Sequence, residues 1–366
     1  MQRSDQDMRA QRVRAAWRVR ACAAAMAVGA QAFLFGAGVV MPLCLNAVWL
    51  AALAALPAAA LAAAVCRRAL MRGGLNRPVK AVRALHLLLC ASFLACAVFA
   101  IISLVNLAEQ SLLPQTRAAH SMAITVLSVC LCALSGGAGA PRAAFLLRFV
   151  MPVVLAVLCV HSIPAGNVSG LFPLLGAGAK PLALGAACMP GAAFPALMLL
   201  YPPPELEASG MQKPKLDVPD AVFFIRRLLA GAAAGAALLF VQILGGTYEE
   251  IMRSSAWGEH LVLISSGRPH EGILQTGLTL AQMLAILFLA VNMLLSAQQA
   301  LGCAFVRLKG FSGLVLCVMI ILLTISALFL PGFEAALFAV PLLCAAFALA
   351  LAGAWALAGK EEDHGA

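Results

Sequence analysis

Stretches of about twenty predominantly apolar residues recur along the whole chain, and that is the length an α-helix needs to cross roughly 30 Å of hydrocarbon. They lie at residues 21–45, 47–66, 87–108, 119–134 and 143–163, then at 181–200, 221–244, 273–295, 311–330 and 335–358. Inside a bilayer every backbone N–H and C=O must find its partner within the protein, which leaves only helices and closed barrels. A barrel strand alternates apolar and polar residues over about ten positions, whereas residues 50–65 and 314–330 are apolar without alternation. The sequence therefore predicts an all-α integral membrane protein of about ten transmembrane helices. With 63% hydrophobic and 11% charged residues, the chain has too little polar surface for a soluble domain. The first run continues well past the small residues Ala23 to Ala25, so it reads as a retained span rather than a cleaved signal peptide.

Lys and Arg favour cytoplasmic loops, so their distribution orients the spans. With ten spans, Arg117, Lys180, Arg253 and Arg268 fall on one side and the other 21 of the 25 basic residues on the opposite side. Both termini are accordingly expected in the cytoplasm. This divides the chain into a basic N-terminal segment (1–20), a membrane domain (21–358, with halves 21–165 and 178–358) and a short tail (359–366). The formal charge of +10 follows from this topology, and no nucleic-acid partner is expected.

Side-chain chemistry is sparse. The twelve cysteines sit almost entirely within apolar runs, without metal-ligand spacing, and read as small hydrophobes. The six histidines form no HExxH or HxH pattern, and no phosphate-binding loop or nucleophile elbow is present. No enzyme activity, cofactor or metal is therefore expected. Gly231 and Gly235 make a small-xxx-small pair that predicts close helix packing within the chain.

The informative features are helix breaks. Gly36-Ala37-Gly38 followed by Pro42 interrupts the first span, and Met189-Pro190-Gly191 followed by Pro195 interrupts the sixth. Five helices per half is an odd number, so the second half must enter the membrane in the opposite sense, giving a 5+5 inverted repeat with broken helices one and six. Matched breaks in two inverted halves point to a transporter-type site, where unwound backbone faces a ligand. The expected ligand-binding residues are Gly36, Ala37, Gly38, Met189, Gly191 and Phe194. Unwinding at Gly36 and Gly38 would present amide N–H groups to an anionic group such as an amino acid carboxylate.

These segments also carry a family resemblance. Gly36 to Gly38 leading to Met41-Pro42, with Trp49 beyond, resembles the first hairpin of the spore germination receptor B-subunit family, within the amino acid, polyamine and organocation transporter superfamily. Leu112-Leu113-Pro114-Gln115-Thr116, the approach from Gly136 to Arg142, and above all NVSGLFPLLGAGAK from Asn167 to Lys180 are similar to that family's pattern, as is the segment from Gly246 to Glu271. The chain departs from it in span six, where Pro195 stands in place of an acidic residue, and at Gly272, where Arg is usual. The resemblance implies a permease-like subunit that senses an amino acid or similar nutrient in the spore inner membrane, with A-type and lipoprotein C-type receptor subunits as partners. An ion-coupled amino acid transporter of the same superfamily is the alternative.

Overall fold

The computed structural model of the protein describes residues 2–71, 80–111, 118–135, 142, 174–203, 221–245, 272–306, 310–328 and 332–359. The fifth expected span (143–163), most of the resemblance-bearing loop from Asn167, and the segments at 112–116 and 246–271 lie outside these residues. All regular structure among the described residues is helical. The first span comprises α1 (Gln2–Phe35), a π-helical segment (Gly36–Val40) and α2 (Met41–Cys44). A 3-10 turn (Leu45–Ala47) leads to α3 (Val48–Ala52) and α4 (Ala55–Met71), followed by α5 (Lys80–Ser111) and α6 (Ala118–Leu134). The sixth span is α7 (Ala179–Cys188) continued by a 3-10 helix (Met189–Leu200). Then come α8 (Ala221–Gly245), α9 (Gly272–Ala304), α10 (Ser312–Leu328) and α11 (Gly332–Gly359).

Nine of the ten expected spans coincide with these elements. Among the described residues, five helical segments are long and apolar enough to cross a membrane: Gln11–Ala52, Lys80–Glu109, Ala179–Leu200, Ala221–Val241 and Thr279–Ala304. Ala119–Leu134, Ser312–Ser326 and Leu342–Ala356 are shorter apolar helices. At the N-terminus α1 runs through most of the basic segment (1–20) and continues without a break into the first span. Trp17 and Arg20 are buried there, with Trp17 edge-on to Phe224 at 5.6 Å between ring centroids.

The relative sense of the helices follows from which residues meet. Along α1, Trp17 meets Phe224 and Gly36 meets Leu239, so α8 runs parallel to α1. Gln31 meets Cys96 and Phe35 meets Phe99, so α5 also runs parallel to it. Arg20 meets Met198, Phe35 lies at Gly191 and Cys44 lies at Gly185, so the sixth span runs in the opposite direction. Opposed first and sixth spans are what two inverted halves require. Cys344 lies at Gly191 and Gly353 at Leu85, which brings the end of α11 to the same end of the bundle as Trp17 and Arg20.

Small residues let α1 and α8 approach closely. A Cβ placed on Gly235 would stand 2.6 Å from the Gly29 carbonyl oxygen, one on Gly29 would stand 2.7 Å from the Gly231 oxygen, and one on Gly231 would run into the Ala25 backbone. The Gly231 and Gly235 pair therefore serves intrachain packing, as the sequence predicted. In hydrocarbon such packing replaces the hydrophobic driving force that helices use in water.

Candidate solute-binding site

The two irregular segments have different causes. In a regular α-helix the ring of Pro42 would collide with the Gly38 carbonyl four residues back. The chain answers by widening into a π turn, with the Met41 N–H reaching the Gly36 carbonyl. The expected unwinding at Gly36 to Gly38 is thus a π-helical segment: the flanking residues Phe35 and Met41 keep right-handed helical angles. Such π segments are rare and recur at functional sites. Helix one then ends at Leu45, whose φ of 54° puts a non-glycine residue in the left-handed region, a strained arrangement.

In the sixth span the change falls at Met189, where α geometry tightens to 3-10 and stays so for 12 residues. Runs beyond three or four residues are uncommon for this helix. Pro195 lacks the N–H that would reach back to Ala192, leaving that carbonyl without its helical donor. Neighbouring elements donate to other carbonyls of the span. Cys344 donates its thiol to the Cys188 oxygen (3.1 Å), Cys66 to that of Ala196 (3.8 Å), and Arg20 an Nη2–H to that of Met198 (3.0 Å). These two cysteines act as weak donors as well as small hydrophobes.

All six expected site residues are buried. The open face of Gly191 meets Cys344 Sγ and the ring of Phe35, at 2.7 and 3.0 Å from an added Cβ. Helix six at Gly191 therefore touches helix one at the residue just before the π segment, and the Phe35 ring stands at the junction. Phe194 packs against Phe93 of α5 at 5.1 Å, while Phe35 packs against Phe99 at 5.7 Å. Gly36 instead turns its open face to the Leu239 side chain of α8, so its lack of a side chain serves helix packing there.

Two polar features were not anticipated from the sequence. Gln31, fully buried in α1, accepts the Cys96 thiol on Oε1 at 3.5 Å, and among the described residues its Nε2 has no partner. At one end of the bundle Arg20, 1% exposed, donates to Met198 and to Gln299 Oε1 (2.6 Å), while Gln299 Nε2 reaches the Pro202 carbonyl (3.1 Å). The guanidinium sits at the C-terminal end of helix six, where the helix dipole favours a cation. Beside it His86 Nδ1 and the Tyr201 hydroxyl are hydrogen-bonded at 2.9 Å, both buried. These groups tie α1, the sixth span, α9 and α5 together at that end. A Trp among arginines at positions 17–20 was the sequence signal that this segment packs rather than floats.

Among the described residues no cluster of three His, Cys, Asp or Glu side chains could hold a metal ion, and the buried polar side chains include no Asp or Glu. The described part of the site thus presents backbone, aromatic rings and the Gln31 amide.

No protein family model matches the chain, and no curated protein sequence matches it. Solved structures of a manganese transporter from Eremococcus coleocola do match. A histidine-to-alanine variant aligns with TM-score 0.56 and a glutamate-to-alanine variant with 0.57, each at 15% sequence identity over 93% of this chain and 76% of the transporter. A complex of that transporter with an aromatic bis-isothiourea substituted compound aligns equally well, with TM-score 0.56. The chain is an all-α integral membrane protein with the fold of a membrane transporter.

Proposed function

We propose that this protein is a transporter-type permease that binds a small zwitterionic solute, such as an amino acid, where the π segment of helix one meets the 3-10 segment of helix six. The observation that carries this reading is the meeting of two buried, irregular segments from oppositely directed helices at Phe35 and Gly191. Regular backbone geometry is given up in the membrane only where protein or a cavity takes over its hydrogen bonding. The structural neighbours named above carry manganese, a cation suited to carboxylate, carbonyl and water ligands. The described part of this site offers aromatic rings and an amide in place of carboxylates, which favours an organic solute. Reconstituted protein should take up one or more amino acids into liposomes, driven by a proton or sodium gradient. Absence of uptake and of binding for every amino acid would overturn the reading.

The second reading is favoured by the sequence segment from Asn167 to Lys180: the permease-like subunit of a spore nutrient receptor, which senses an amino acid without obligatory transport. It sits in the spore inner membrane with both termini cytoplasmic and assembles with A-type and lipoprotein C-type subunits. Copurification with those subunits and loss of the A-type subunit on deletion of this chain are its expected marks. Stable, monomeric, active protein without them would exclude it.

A further inference from the structure

Gln31 is fully buried, and the thiol of Cys96 occupies its carboxamide oxygen, leaving both N–H bonds of Nε2 without an acceptor among the described residues. An unsatisfied buried donor is destabilising, so a hydrophobic side chain of similar shape would be the more stable choice for packing alone. Its position supplies the reason for retaining it. On α5, Phe93, Cys96 and Phe99 are spaced three residues apart and so share one face. Phe93 packs against Phe194 of helix six, and Phe99 packs against Phe35 of helix one. Gln31 thus stands between two aromatic pairs, about one turn before the π segment.

We infer that Gln31 is the polar anchor of the solute site, donating through Nε2 to the carboxylate of an amino acid whose apolar side chain lies against Phe35, Phe99 and Phe194. The ligand's ammonium gains from the faces of the same rings through cation–π attraction. This inference rests on the proposed solute-binding function and adds to it the group that reads the carboxylate.

The test is thermal unfolding of the purified full-length protein in detergent, alone and with each proteinogenic amino acid or its decarboxylated amine. Wild-type protein should be stabilised by at least one amino acid more than by the matching amine. Gln31→Leu should unfold alone at the same or a higher temperature, and should bind that amino acid about 10- to 150-fold more weakly, the range for a hydrogen bond to a charged group. Gln31→Glu, which replaces the donor by an oxygen, should shift preference from the amino acid toward the amine. An unchanged amino acid response in Gln31→Leu overturns the inference and leaves the proposed function standing. A clear drop in the unfolding temperature of ligand-free Gln31→Leu also overturns it, because Nε2 would then have a structural partner. Wild-type protein that responds to no amino acid removes the proposed function and the anchor with it.

Discussion

Adding a single methyl group at Gly235 tests the α1–α8 interface, because what a Cβ would meet there is backbone. It would lie 2.6 Å from the Gly29 oxygen, whereas ordinary contact begins at 3.4 Å, so the helices must part by about 0.8 Å. A radial gap of that size forfeits a quarter to a half of the dispersion well for the atoms left behind. With the strain of overpacking, Gly235→Ala should cost about 1–3 kcal/mol. Helix propensity favours alanine by about 1 kcal/mol, so the measured change should be a net destabilisation of up to about 2 kcal/mol. Two further glycines calibrate the measurement. At Gly353 a Cβ would meet Leu85 at 3.4 Å, ordinary contact, so Gly353→Ala should stabilise by about 0.5–1 kcal/mol. At Gly310 a Cβ meets nothing within 4 Å, and the change should fall within about 0.5 kcal/mol of zero. Thermal unfolding in one detergent ranks all three. Gly235→Ala as stable as Gly310→Ala would refute the claim that α1 and α8 meet backbone to backbone.

Arg20→Met removes the donor to Met198 and Gln299 and should open that end of the bundle, with a net loss of about 2 kcal/mol once the relieved burial of charge is counted. Alkylation of Cys66 as sole cysteine, buried behind helix six, should then quicken; an unchanged rate would count against closure by Arg20. Tyr201→Phe should cost about 1 kcal/mol through the lost bond to His86, measured in the same unfolding assay; an unchanged unfolding temperature would count against that bond. A single cysteine near position 266 should be labelled from outside the cell and one near 210 only after permeabilisation; external labelling at both positions would break the ten-span reading.

Span lengths and order were legible because a membrane imposes a length on each apolar run, and α6, α8, α10 and α11 lie close to the predicted bounds. The glycines and prolines of helices one and six marked where regular geometry fails. Their form was not legible, since a π turn, a 3-10 run and an unwound stretch all satisfy the same proline, and the choice among them depends on donors from other helices. Gln31 was missed because a lone glutamine in an alanine-rich run gives no periodic signal; only the placement of Cys96 shows that one end of its amide is filled and the other empty. Arg20 was counted only as a cytoplasmic-side charge because charge counting reads residue type, while its partner Met198 lies 178 positions away in sequence.

The 12 residues from Met189 to Leu200 also form a length reserve. At about 2.0 Å per residue the 3-10 form spans roughly 24 Å, against roughly 18 Å for the same residues at 1.5 Å in an α-helix. Relaxation to α geometry would shorten the segment by about 6 Å, and the change from about three to 3.6 residues per turn would rotate one end against the other by roughly 240°. Arg20 donates to Met198 near one end of the segment and Cys344 to Cys188 just before the other, so a side chain from a neighbouring helix meets it at each end. Releasing the Arg20 end would let the recoil draw Tyr201 away from His86 while the Cys188 end stays fixed.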